Sequence, residues 1–117
     1  MKITGVKWLG VRTEAYDAMV ALFRDTLELE VKESHETYMG FRAPNGDEIE
    51  VFRTDDAEHA FFTTGPVAGF GVEDVAASRQ ELEAAGIELI GPLHDEAGGR
   101  WSHFRGPDGN VYEITEA

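Results

Sequence analysis

The 117-residue chain carries 23 acidic against 10 basic side chains, a net charge of −13, and no cysteine. That balance repels nucleic-acid phosphate and anionic lipid and would favour a cationic or metal ligand, although most of these charges are read as serving solubility alone. The missing thiols exclude a disulfide scaffold, a thiolate metal site and a cysteine nucleophile. The length suits one domain built on one core, and the 42% hydrophobic content is ordinary for a globular protein. The amino terminus lacks the apolar stretch of a secretory signal, and no apolar run approaches the ~20 residues of a membrane span. A soluble, cytoplasmic protein with neither nucleic-acid nor membrane partners is expected.

Residues 3–12 read as a first strand with Trp8 at its middle, and Thr13 is placed to cap a helix. Tyr16, Met19, Val20, Phe23 and Leu27 then recur at the spacing of an amphipathic helix whose apolar stripe packs on a sheet. Leu29 and Val31 open a second strand running towards His35, residues 38–43 make a third, and residues 48–53 make a fourth after the Pro44-Asn45-Gly46 turn. Residues 55–66 are a connection, in which Phe61 and Phe62 plug the core or seal an interface. The second half repeats the order. Residues 67–72 form a strand and Asp74 caps a helix marked by Val75, Ser78, Leu82 and Ala85, which Gly86 stops. Residues 87–90 form a strand closed by Gly91-Pro92, a polar loop covers 94–99, and strands 100–105 and 111–115 flank the Pro107-Asp108-Gly109 turn. The reading is one α+β domain of two βαβββ modules: residues 1–54, a linker at 55–66, and residues 67–117.

The modules echo each other in sequence. Phe41, Arg42, Pro44, Gly46 and Glu50 recur as Phe104, Arg105, Pro107, Gly109 and Glu113 at a constant offset of 63. In each closing strand a glutamate sits between apolar neighbours, Ile49-Glu50-Val51 and Tyr112-Glu113-Ile114. A period of two sends the apolar pair to one face and the carboxylate to the other. A duplicated fold therefore places Glu50 and Glu113 at equivalent positions, and function is sought there.

With these motifs, and with the passage from Val20 to Leu29 and the Val72-Glu73-Asp74-Val75 opening of the second module, the chain resembles the glyoxalase/bleomycin-resistance/dioxygenase group, the vicinal oxygen chelate superfamily. The resemblance implies a curved mixed sheet around a cavity, helices outside, and a homodimer. In metal-using members the ligands come from the first and fourth strands of each module. Glu50 and Glu113 match the fourth-strand positions. The first-strand positions fall near Val6 or Trp8 and near Val67 or Gly69, and none of these has a metal-binding side chain.

Two carboxylates alone hold a divalent ion poorly, so a metal would need help from His103 or His94. Without a metal, two carboxylates facing one cavity must be solvated, protonated or paired, either with a ligand or with an arginine such as Arg12 or Arg100. Trp8 and Trp101 either wall the cavity, stacking flat or cationic ligands, or fill the core. His35 and His59 lie in turn and linker contexts. The expected function is binding of a small aromatic or cationic molecule in an acidic cavity lined by Trp8, Glu50, Trp101, His103 and Glu113, without a complete metal site. The alternative is a metal-dependent lyase, isomerase or dioxygenase acting on a small carbonyl or aromatic substrate, with Glu50 and Glu113 among the ligands. Catalytic residues are not assigned from sequence.

Overall fold

The alternating strands and the two amphipathic stretches fold as the repeat predicts, and the computed structural model describes residues 1–116. The chain is α+β, with two βαβββ modules in the order β1 Gly5–Arg12, α1 Tyr16–Ala21, β2 Glu30–Ser34, β3 Tyr38–Arg42, β4 Glu48–Phe52, then β5 Val67–Gly71, α2 Val75–Ala84, β6 Glu88–Glu96, β7 Gly99–Arg105 and β8 Val111–Glu116. By packing it separates into two units: residues 8–66, and residues 1–7 together with those from 67 onward. No helix among the described residues is long and apolar enough to cross a membrane.

In the first unit the strands lie in the order β2-β3-β4-β1. β1 runs parallel to β4, with Gly10 opposite Glu50, and β3 runs antiparallel to it, with Gly40 opposite the same glutamate. Strand periodicity then sorts the residues. Phe41 and Val51, both fully buried, pack with Val20 and Phe23 of the helical segment, and Val11, Met39 and Ile49 surround them. Each such side chain contributes about 1.5–3 kcal/mol of burial. Trp8, Gly10, Tyr38, Gly40, Glu50 and Phe52 take the opposite face.

The helix differs from its sequence reading at both ends. Ala15, not Thr13, is the capping residue, and the Thr13 hydroxyl instead accepts from the Ala15 amide at 3.0 Å in a local turn. After Ala21 the chain widens into a π turn, Leu22–Thr26, closed by the Leu27 amide on the Leu22 carbonyl at 2.8 Å. The wider turn rotates Leu27 off the apolar stripe, and it is 54% exposed. Leu29 packs against the core beyond it.

The second unit has the order β5-β8-β7-β6, with β5 parallel to β8 and Gly69 opposite Glu113. Val72, Val75 and Ile114 form its core with Leu82, Leu93 and Phe104. Asp74 caps α2 by accepting from the Ala77 amide at 3.0 Å, and Gly86, at a φ of 79°, leads the chain out of the helix. β6 is longer than expected. Gly91-Pro92 does not close it but sits in a register shift between Ile90 and His94, where a proline without an N–H is tolerated. The strand resumes through His94, so the polar loop expected at 94–99 contracts to a tight turn after Glu96. The connection between modules is also ordered locally. Asp56 caps a single 3₁₀ turn, Ala57–His59, by accepting from the His59 amide at 3.1 Å.

Candidate functional site

Parallel pairing of β1 with β4 brings Trp8 and Glu50 to one face, and the Trp8 indole Nε1–H donates to Glu50 Oε1 at 2.8 Å. Glycine makes this geometry accessible. A methyl group on Gly10 would collide with the Trp8 six-membered ring, so the indole lies flat across the strand only because Gly10 has no side chain. On the other flank a methyl group on Gly40 would press to 3.0 Å on Glu33 Cγ, so the Glu33 side chain crosses that glycine in the same manner.

Aromatic rings surround the carboxylate. Trp8 meets Phe52 at 6.3 Å and Phe62 edge-on at 6.0 Å, and Tyr38 lies 5.5 Å from Phe52. Phe62, from the connection, is 3% exposed and plugs this cluster. Burial pushes the Glu50 carboxyl above its ordinary range. The Trp8 hydrogen bond opposes that rise, the Glu33 charge adds to it, and His59 again counteracts it. The same burial, with Glu33 and Glu50 beside it, pushes the Tyr38 phenol up to about 12. Tyr38 donates to Glu33 Oε1 at 3.3 Å and His35 stacks on its ring at 4.4 Å.

His59, set aside in the sequence reading, belongs here, together with Asp56, which that reading did not name. His59 stacks on Phe52 at 3.8 Å with the ring planes 20° apart and meets Phe62 edge-on at 5.2 Å. Its Nδ1 lies 2.8 Å from Asp56 Oδ1, and the buried Asp56 also accepts from the Thr37 hydroxyl at 2.7 Å. Burial alone would raise the Asp56 carboxyl, but the hydrogen bonds from Thr37 and His59 prevail and hold it below its ordinary range. The only trace of this in sequence is the Asp-x-x-His spacing after a strand, which a capping turn converts into side-chain contact. Tyr38 and Glu33 left no signal beyond their positions on strands.

The other expected site residues gather on the second module. Trp101, His103 and Glu113 share a face of β7 and β8, with His103 directly opposite Glu113 in register. His103 is 4% and Glu113 5% exposed. His94, expected in a loop, lies on β6 and stacks on Trp101 at 5.2 Å, with His103 edge-on at 6.1 Å. The arginines named as partners are occupied elsewhere: Arg12 donates to the Thr54 carbonyl at 3.1 Å, and Arg100 to Glu116 at 3.4 Å.

These donor sets do not fit a divalent ion. Glu50 is a single carboxylate whose Oε1 already accepts from the indole N–H, and a hard divalent ion wants about six oxygen ligands. Among the described residues no three His, Asp or Glu side chains gather to hold a metal. A groove of about 260 Å³ lies apart from these residues, between α2 and β6, lined by Ala76, Arg79, Gln80, Glu83, Leu89 and Leu93.

The chain belongs to the Glyoxalase/Bleomycin resistance protein/Dioxygenase superfamily, whose family model matches residues 5–114. Among solved structures it is similar to a Mn(II)-bound glyoxalase from Novosphingobium aromaticivorans, at 23% identity and a TM-score of 0.78, over 98% of this chain and 39% of that one. It is also similar to methylmalonyl-CoA epimerase from Mycobacterium tuberculosis, at 17% identity and a TM-score of 0.75, over 97% of this chain and 88% of that one. Streptomyces coelicolor methylmalonyl-CoA epimerase in complex with 2-nitronate-propionyl-CoA gives 19% identity and a TM-score of 0.72, over 99% of each chain. At these identities the likeness concerns the fold. No curated protein matches the sequence.

Proposed function

We propose that this superfamily member binds a small aromatic cation, without a metal, against the first-module face that carries Trp8 and Glu50; Trp101, His103 and Glu113 carry a candidate binding face of their own on the second module. The carrying observation is Glu50. A carboxylate held by one indole N–H, ringed by aromatic groups and made costly to ionise by burial, gains most from a positively charged ligand that also stacks. The excess of acidic residues raises the local concentration of such a ligand. The homodimer expected from the family remains part of this reading. β2 and β6 stand at the two ends of the strand order, and a strand paired on one side only offers a pairing edge.

Titration with benzylamine at neutral pH and physiological salt, followed by indole fluorescence, tests the reading. Saturable binding that weakens about tenfold or more in Glu50→Gln is expected, since a charge-assisted contact is worth roughly 1.5–3 kcal/mol. Exchanging the exposed Glu83 for Gln should leave it unchanged. Equal loss in both variants would mean that the cation is held only by the general surface charge.

A further inference from the structure

We propose that the Asp56–His59 pair is a second polar anchor of the Glu50 face, presenting imidazole Nε2 as a hydrogen-bond acceptor and selecting cations that carry N–H donors over quaternary ammonium groups. This rests on the reading of the Glu50 face as a binding site and names its specificity element.

Asp56 fixes the tautomer of His59. Asp56 is buried, its carboxyl is kept ionised by the Thr37 hydroxyl and the His59 amide, and an ionised carboxylate only accepts. At 2.8 Å from Asp56 Oδ1, Nδ1 of His59 must therefore be the nitrogen that carries hydrogen. In a neutral imidazole that leaves Nε2 with a lone pair. The ring cannot easily turn the other nitrogen outward, because it is stacked flat on Phe52 and blocked at its edge by Phe62. Nε2 has no hydrogen-bond partner among the described residues, and the side chain keeps 20% of its surface open. Phe52 follows Glu50 by two residues on the same face of β4, so the imidazole stacked on it belongs to the Glu50 face.

A face with two acceptors, Glu50 and Nε2, and the rings of Trp8 and Tyr38 distinguishes two kinds of cation. A primary ammonium satisfies both acceptors and keeps its charge against the rings. A trimethylammonium group keeps the ring contacts but leaves both acceptors without a hydrogen, a deficit that hydrogen-bonding sites do not tolerate.

The experiment compares protonated benzylamine with benzyltrimethylammonium at neutral pH in wild type, Glu50→Gln, His59→Phe and Asp56→Asn. In wild type benzylamine should bind about tenfold tighter or more. In His59→Phe, which retains a flat ring on Phe52, the ratio should fall several-fold while benzyltrimethylammonium binding stays. In Asp56→Asn, which retains a capping side chain, the ratio should fall partway as the tautomer is released. Nitrogen NMR of neutral His59 in the wild-type protein should show hydrogen on Nδ1 alone, a measurement that needs no variant to fold. A ratio near one in wild type, an unchanged ratio in His59→Phe, or hydrogen on Nε2 overturns the inference while Glu50-dependent binding of both cations stands. Failure of both cations to bind overturns the binding reading itself, and this inference with it.

Discussion

Replacing Trp8 with Phe, Glu50 with Gln, and both together isolates the bond on which the first module's face is built. Trp8→Phe keeps an aromatic ring against Phe52 and Phe62 but removes the donor that lies 2.8 Å from Glu50 Oε1. A hydrogen bond to an ionised partner contributes roughly 1.5–3 kcal/mol and a neutral one roughly 0.5–1.5. Trp8→Phe should therefore destabilise by about 2 kcal/mol at neutral pH, and by about 1 kcal/mol less once Glu50 is protonated. Glu50→Gln has the opposite sign. Its carboxyl is raised by burial above the ordinary 4.5, so the folded state binds that proton more tightly than the unfolded state does. The stability that this proton supplies is complete below the unfolded value and is lost as pH rises through the folded one. Glutamine keeps a carbonyl for the indole and loses no proton, so the variant should match wild type at acid pH and be the more stable of the two at neutral pH. In the double variant the donor and the charge leave together, and the two single effects should fail to add by about 1 kcal/mol at neutral pH and by little in acid. Urea melts of the four proteins at both pH values measure all of this. A Glu50→Gln protein clearly less stable than wild type at neutral pH would show that a stronger partner than the indole holds this carboxylate, and the account of the site would fail.

Gly10→Ala should destabilise by roughly 1–3 kcal/mol and shift the indole emission, because the added methyl displaces the Trp8 ring, whereas Gly98→Ala meets nothing within 4 Å and should melt like wild type. Ending the chain after Gly106 removes β8, the strand paired with both β5 and β7, together with buried Val111 and Ile114. Those two burials alone amount to roughly 3–6 kcal/mol, and the truncated chain should show no cooperative melt by circular dichroism. Sedimentation at micromolar concentration should give twice the chain mass, and a clean monomer there would refute the dimer.

The fold was legible because two independent patterns agreed. The offset that carries Phe41 to Phe104 also carries one hairpin to the other, and the strand signals fell into the same order around each. What failed did so for local reasons. Leu27 fits a 3.6-residue stripe that the chain abandons when it widens into a π turn. Gly91-Pro92 carries the signal of a strand end, yet a register shift absorbs the missing N–H and the strand continues through His94. The site was legible only in part. Trp8 and Glu50 were named from pattern, but the bond between them depends on register, which fixes Gly10 rather than a bulkier residue opposite Glu50. His59 was passed over because a residue in a connection has no periodicity to betray where its side chain lands.

The repeat also explains why the two modules do not offer the same chemistry. Each glutamate has a glycine as its parallel neighbour, Gly10 beside Glu50 and Gly69 beside Glu113. The antiparallel neighbours differ: Gly40 stands opposite Glu50, but the residue at the matching offset, opposite Glu113, is His103. In the first module the absent side chain leaves a gap over which Glu33 crosses, and the face is aromatic and acidic. In the second module the same position holds a buried imidazole in line with Trp101, edge-on to His94, and the face gains a group able to donate as well as accept. The hairpin that fixes the strands has kept Phe, Arg, Pro and Gly in both copies, since all of them serve the turn and the strands around it. The position opposite the glutamate is not shared: it is glycine on one strand and a buried histidine on the other, within the same strand order.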